Sequence, residues 1–248
     1  MNAHNPVAEE ARSIINAADE AGLKLRLLGG IAIWLCSPSA AAHPRLKRDY
    51  PDIDFVGLRA QSREISDLFE LLGYEPNRRF NALHGYRRLI FYGPLGHVDL
   101  FLDRFEMCHT VDLRQRLLEG YLTLPVADLL VTKLQIVELN PKDLRDTLTL
   151  LLDHDVGLEE SPDLIDLSYL SGLTGADWGL FTTLSDNLAR TLEAVPEFLN
   201  EEEGQRVTAR IRALLDAMEQ SPKTVKWHLR AKVGRRVEWY ELPEEVAR

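Results

Sequence analysis

The sequence predicts an α/β (α+β) fold, in which a small mixed sheet with flanking helices is followed by a mainly helical C-terminal region. Apolar runs typical of strands occupy residues 23–28, 52–56, 88–92 and 97–102, enough for one sheet. Apolar residues at helical spacing cover residues 6–21 and 62–72, and helical spacing dominates after Gly157. These patterns predict two domains, residues 1–157 and 158–248.

The composition is that of an ordinary globular protein. The chain has 248 residues, of which 45% are hydrophobic and 27% charged, and its formal net charge is −10. This acidity argues against a broadly basic surface of the kind that non-specific nucleic-acid binding requires. Because no segment reads as a signal peptide or reaches the roughly 20 apolar residues of a membrane span, we expect a cytoplasmic protein without a membrane partner. Cys36 and Cys108 have neither metal-binding spacing nor the pattern of a disulfide framework.

The first strand leads into a glycine turn. Residues 23–28 are followed by Gly29 and Gly30, and residues 31–36 read as the start of a helix. Glycine allows a tight turn and a close approach of the backbone to a ligand, and the free N–H groups of a helix N-terminus attract phosphate. Taken alone, the pair is more typical of a simple turn between strand and helix.

Two of the later predicted strands contain aspartates among their apolar residues. Asp52 and Asp54 alternate within residues 52–56, so their side chains leave the same face with Cα atoms roughly 6.5 Å apart. Asp99 lies inside the apolar run 97–102. If the two strands are neighbours, three carboxylates converge, and such oxygen ligands suit Mg²⁺. Without Asp99, the pair Asp52 and Asp54 is about as typical of the solvated face of a half-buried strand as of a metal site.

Basic residues surround these strands. The loop before Asp52 carries Lys47 and Arg48, and residues 74–90 contain four arginines interleaved with aromatic residues: Arg78, Arg79, Arg87 and Arg88. This mixture is typical of a surface that contacts a phosphate-rich or stacked substrate. It is about equally typical of an exposed hairpin with paired arginines.

Two later motifs place charged residues among apolar ones. Lys133 lies in the predicted helix 126–139 with apolar residues three and four positions away on both sides, which directs it inward. An inward lysine binds an anion or extends its ammonium to solvent. Asp143 and Asp146 follow at a helix start, where acids interact favourably with the helix dipole.

The order Gly29-Gly30, Asp52-x-Asp54 and Asp99 resembles the nucleotidyltransferase superfamily with the DNA polymerase β-like fold, over roughly residues 20–155. Within it, the runs Leu-Leu-Val-Thr-Lys-Leu at 129–134 and Lys-Asp-Leu-Arg-Asp at 142–146 are similar to those of AbiEii/AbiGii-type nucleotidyltransferase toxins. The chain differs from the family in having Gly-Gly in place of Gly-Ser and a different lead-in to Asp52, so the basic residue at the phosphates is unassigned.

The resemblance implies a Mg²⁺-dependent enzyme that transfers a nucleotide from a nucleoside triphosphate such as ATP to a hydroxyl acceptor. It implies that the catalytic and metal-binding residues, for two Mg²⁺ ions, are Asp52, Asp54 and Asp99. It implies that the nucleotide-binding residues are Gly29, Gly30, Lys133 and Asp143. The toxin branch implies an RNA or protein acceptor and an antitoxin partner. The alternatives are a small-molecule nucleotidyltransferase acting on aminoglycoside or lincosamide-type antibiotics, for which an acidic chain suits a basic acceptor, and a non-catalytic binding module of the same fold.

The C-terminal region carries no motif that we can assign to a function. After an acidic linker at 158–162, helical spacing covers residues 162–171, 177–194 and 204–219. Residues 223–236 hold six basic residues and no acid. That stretch is typical either of a nucleic-acid or partner surface, or of a solvated helix face followed by a strand at 237–240.

Overall fold

The computed structural model describes residues 4–159 and 161–242. Residues 1–3, Glu160 and 243–248, which belong to the predicted domains and linker, lie outside the described residues. The chain forms two compact units. The first contains the chain up to Ala42, together with Arg48–Glu106 and Thr110–Leu124; the second contains His43–Lys47, Met107–His109 and the chain from Pro125 onwards. The domain boundary at residue 157 stays a prediction.

The first unit is a mixed sheet with helices. Its elements are α1 (Pro6–Glu20), β1 (Leu25–Leu28), α2 (Gly29–Cys36), α3 (Ser39–Ala42), β2 (Ile53–Gly57), α4 (Ser62–Leu71), β3 (Glu75–Pro76), α5 (Arg78–His84), β4 (Arg88–Gly93), β5 (Gly96–Leu102), β6 (Arg104–Glu106) and β7 (Thr110–Asp112). Five strands form one sheet in the order β1-β2-β5-β4-β3, in which β2 and β5 are parallel and the other neighbours are antiparallel. This arrangement confirms the predicted small mixed sheet.

The two faces of this sheet differ because side chains alternate along each strand. On one face Phe55 and Phe91 contact Phe69 of α4, with ring centroids 5.7 Å and 4.8 Å from that of Phe69. All three rings are buried, and aromatic contacts of this kind stabilise a core beyond the area that they bury. Asp54 and Asp99 are the neighbours of Phe55 and Leu100 along their strands, so they lie on the other face.

The second unit is mainly helical, as predicted for the C-terminal region. Its elements are α6 (Val126–Leu134), α7 (Pro141–Asp153), β8 (Val156–Gly157), β9 (Ile165–Asp166), α8 (Leu167–Ala176), α9 (Trp178–Phe198), α10 (Glu201–Gln220) and α11 (Val225–Val233). The apolar face predicted for 204–219 packs in the core of this unit through Val207, Ile211, Leu214 and Met218, all fully buried. No helix in the described parts of the chain is long and apolar enough to cross a membrane.

Some helix limits differ from the prediction for reasons distant in sequence. The predicted helix 126–139 ends at Leu134, because the side-chain amide of Asn187 donates to the carbonyls of Leu134 and Ile136 at 2.7 Å each. A side chain that satisfies the carbonyls left free at a helix C-terminus stabilises the helix end at that position. The predicted helix start at residue 162 shifts to Leu167, where Asp166 caps the first turn through its carboxylate. Residues 237–240 form no strand.

Candidate active site

The first unit brings Asp54 and Asp99 side by side. They are register partners on the adjacent parallel strands β2 and β5, which places neighbouring backbones about 4.8 Å apart with side chains on the same face. Asp52 lies immediately before β2 and is half-buried, as is Asp54. Asp99 is 6% exposed. The condition that the sequence analysis set for converging carboxylates, that the two acidic strands are neighbours, is therefore met for Asp54 and Asp99.

The glycine turn lies against Asp54. Leu28, the last residue of β1, pairs with Asp54, and Gly29 follows with a φ of 69°. A Cβ on Gly29 would lie 2.0 Å from Oδ2 of Asp54, so both the backbone conformation and the space require glycine here. Leu28 provides no side-chain hydrogen bond as the N-cap of α2, and free N–H groups at such a helix start favour an anion.

Arg48 and Tyr50 line the other side of this turn. A Cβ on Gly30 would lie 2.7 Å from Nη2 of Arg48 and 2.8 Å from Cδ1 of Tyr50. The Arg48 guanidinium stacks over the Tyr50 ring at 4.0 Å and donates to the carbonyl of Asp49. Lys47 and Arg48 are the two basic residues that the sequence places just before Asp52. Arg48 is the one of the two that belongs to the first unit, where it lies beside the glycine turn.

Asp99 is held by a cation from the neighbouring strand. Nε and Nη2 of Arg88 donate to Oδ1 of Asp99 at 2.7 Å and 2.6 Å. Oδ2 of Asp99 lies 3.4 Å from Nδ1 of His97. Charge-assisted bonds of this length are among the stronger polar contacts in proteins. Oδ1 of Asp99 thus accepts both bonds from Arg88, and Oδ2, which lies near His97, is the oxygen that can take a further ligand.

The acids meet the chemical requirement for Mg²⁺ in part. Asp52, Asp54 and Asp99 offer only hard carboxylate oxygens, which Mg²⁺ prefers, and the absence of a Cβ at Gly29 lets the Asp54 carboxylate lie against the glycine turn. Within residues 4–159 and 161–242, however, no group of three or more His, Cys, Asp or Glu side chains is arranged to hold a metal ion. The oxygen donors suit Mg²⁺, whereas the guanidinium of Arg88 places a positive charge next to one of them.

Lys133 and Asp143 belong to the second unit. Nζ of Lys133 lies 3.0 Å from Oδ1 of Asp143 and 3.0 Å from Oδ2 of Asp146. The lysine side chain is 13% exposed, and those of Asp143 and Asp146 are 7% and 0% exposed. The sequence predicted an inward lysine that binds an anion or extends its ammonium to solvent, and these two carboxylates are among its contacts. Oδ2 of Asp143 is buried without a hydrogen-bond partner in the described chain.

The contact of Arg88 with Asp99 was not predicted from the sequence. Arg88 was grouped with the other arginines of residues 74–90 and not linked to Asp99. The signal was present in the turn at 93–96, because a hairpin closed there pairs Arg88 with Phe101 and Ile90 with Asp99. Diagonal neighbours on one face of a hairpin lie within reach of a long side chain.

Comparison with known proteins adds little to this picture. No protein-family model matches the sequence, and no curated protein is significantly similar to it. Among solved structures, the chain is similar to the antibiotic-resistance factor ANT(2'')-Ia, studied in solution for its substrate-regulated conformation dynamics. The alignment has 14% identity, covers 86% of this chain and 94% of that one, and gives a TM-score of 0.35. The assignment of a function therefore depends on the site itself.

Proposed function

We propose that this protein is a Mg²⁺-dependent nucleotidyltransferase, which moves a nucleoside monophosphate group from a nucleoside triphosphate to a hydroxyl acceptor. The observation that carries the proposal is the register pairing of Asp54 with Asp99 on adjacent strands, beside a glycine turn that opens a helix. Paired carboxylates next to an anion-binding helix start are what a site for a metal–phosphate substrate needs.

The residues that would hold the divalent cation are Asp52, Asp54 and Asp99. When bound there, Mg²⁺ would neutralise phosphate charge and stabilise the attacking and leaving oxygens of the displacement. Asp99 would contribute Oδ2, because Oδ1 accepts both bonds from Arg88.

The remaining groups of the first unit bind and orient the substrates. The N–H groups at Gly29 and Gly30 and the Arg48 guanidinium attract the triphosphate. The acceptor oxygen forms a bond to the α-phosphorus, the bond from that phosphorus to the bridging oxygen breaks, and pyrophosphate leaves. The proton of the acceptor hydroxyl is released to solvent as this bond forms, helped by the negative charge of Asp99. Rate enhancement comes mainly from placement and fixed charge.

We propose that this protein is an AbiEii-like toxin component. Its acceptor would be RNA or protein in the cytoplasm, and an antitoxin protein would restrain it. The runs at 129–134 and 142–146 support this choice, and Lys133 and Asp143 remain predicted nucleotide-binding residues. The net charge of −10 favours the alternative, a small basic acceptor such as an aminoglycoside, since an acidic protein attracts it.

The test is transfer of label from each α-³²P nucleoside triphosphate in the presence of Mg²⁺. Total RNA, cell protein and a panel of aminoglycosides and lincosamides are offered in separate reactions. Asp54→Asn is the inactive control, and Asp49→Asn, an exposed acid just before the motif, is the matched active control.

We expect label on one acceptor class with wild type and Asp49→Asn, and none with Asp54→Asn. Label that persists with Asp54→Asn would contradict the assigned site. If no acceptor is labelled and calorimetry detects no Mg²⁺-dependent nucleotide binding, the chain is a non-catalytic module of this fold.

A further inference from the structure

Arg88 is a fixed positive charge next to the proposed metal ligands. Its guanidinium carbon lies 5.1 Å from the ring centroid of Phe101 and 5.7 Å from that of Phe80, and its side chain is 17% exposed. Cation–π contacts favour a guanidinium in such a position. Two bonds to Asp99 and two aromatic neighbours together hold Arg88 in one place.

This charge has two opposite consequences for Asp99. A buried carboxylate is costly without a cation, and Arg88 supplies one whether or not a metal is bound. The same positive charge repels a divalent cation that approaches Asp99, and it occupies one of the two carboxylate oxygens. The arrangement therefore stabilises the metal-free site and opposes metal binding.

We propose that Arg88 is the resident counter-cation of Asp99, which restricts this ligand to a single coordinating oxygen, Oδ2, and weakens the affinity of the site for a free divalent cation. This inference rests on the proposed function, because it takes Asp54 and Asp99 as metal ligands. Its consequence is that the cation binds mainly together with the triphosphate, whose negative charge offsets that of Arg88.

The test is a Mn²⁺ titration of the full chain without nucleotide, in which electron paramagnetic resonance reports free Mn²⁺. Arg88→Gln keeps a donor for Oδ1 of Asp99 but removes the charge, and we expect Mn²⁺ to bind at least about 10-fold more tightly. Arg88→Lys keeps the charge, and its affinity should stay within about 3-fold of wild type. The matched control is Arg87→Gln, since Arg87 pairs with Glu106 at 3.9 Å, and a change below about 2-fold is expected.

A second variant links the effect to Asp99. The gain of Arg88→Gln should be lost in the double variant Arg88→Gln/Asp99→Asn, because the oxygen that the gain depends on is then absent. The melting temperature of each variant, with and without Mn²⁺, gives an independent measure of binding.

Suppose that wild type binds Mn²⁺ more tightly than Asp54→Asn, but Arg88→Gln binds it no more tightly than wild type. That result would overturn this inference and leave the proposed function standing. If wild type and Arg88→Gln both bind Mn²⁺ no better than Asp54→Asn, this inference fails, and the proposed function is then decided by the labelling assay alone. Should Arg88→Gln not fold, a change of more than about 10-fold in Arg88→Lys would count against the inference, because the charge is still present.

Discussion

Two ion clusters in this chain differ in the ratio of acids to cations. In the first unit, one carboxylate, Asp99, is held through one oxygen by one cation, Arg88. In the second unit, one ammonium, that of Lys133, contacts both Asp143 and Asp146. In the first cluster the acid has one oxygen that Arg88 does not contact. In the second cluster the cation contacts two acids.

The difference shows how little a charged residue in an apolar stripe says about its role. Asp99 has Oδ2 facing His97 rather than Arg88 and has the half-buried Asp54 beside it, which is the pattern of a ligand-binding site. Lys133 is surrounded by carboxylates of its own unit, and removal of one member of such a buried cluster usually costs stability. The largest expected effects are therefore on activity for the first cluster and on stability for the second.

The largest effect expected is on catalysis by Asp54→Asn. This change removes one ligand charge without changing side-chain volume, and we expect transfer to fall by about 10³-fold or more. Because Asp54 is half-buried beside the Gly29 turn, the free energy of unfolding should change by less than about 1 kcal/mol. Activity within about 10-fold of wild type in the labelling assay would exclude Asp54 as a ligand.

The second cluster is tested by Lys133→Met. It leaves Asp143 and Asp146 buried without their common cation, so we expect a loss of about 3–5 kcal/mol in urea unfolding. The control is Lys142→Met, an exposed lysine of α7, with an expected change below about 0.5 kcal/mol. If Lys133→Met is as stable as wild type but binds nucleoside triphosphate more weakly, Lys133 has the phosphate-binding role that the sequence predicted.

These two clusters also show what the sequence could predict. The strand limits followed from local alternation, so β2 and β5 were found within a residue or two, whereas the adjacency of these strands was only a condition for the convergence of their acids. Arg88 was missed because its partner, Asp99, is defined by a hairpin register and not by a local motif. Lys133 was correctly directed inward, but its partners became clear only when α7 was placed against α6. The early end of α6 at Leu134 depends on Asn187, 53 residues further along the chain, and no local pattern contains that information.

A smaller effect separates the two reasons for glycine at the turn. Gly29 and Gly22 have nearly the same φ, 69° and 71°, but a Cβ on Gly22 would meet nothing within 4 Å, whereas one on Gly29 would meet Asp54. Gly22→Ala therefore measures backbone strain alone, about 1–2 kcal/mol. We expect Gly29→Ala to cost more in thermal unfolding and also to lower transfer activity by displacing Asp54. Equal stability losses and unchanged activity would mean that the close approach has no functional role.

The smallest effect concerns a buried group whose charged form the fold disfavours. His109 is 9% exposed, and its Nε2 lies 2.8 Å from Oγ1 of Thr183. Burial lowers the pKa of His109 below its ordinary value, and the carboxylate of Asp177 opposes that shift. Because the unfolded chain then takes up a proton that the folded chain refuses, this stability is complete above about pH 6.5 and is lost as the pH falls towards the lowered pKa. In urea unfolding at about pH 7.5 and 5.5, wild type and the exposed-site control His228→Gln should lose this stability on acidification, whereas His109→Gln should not. Parallel losses in all three proteins would show that other groups set the acid sensitivity and that burial does not disfavour the charged form of His109.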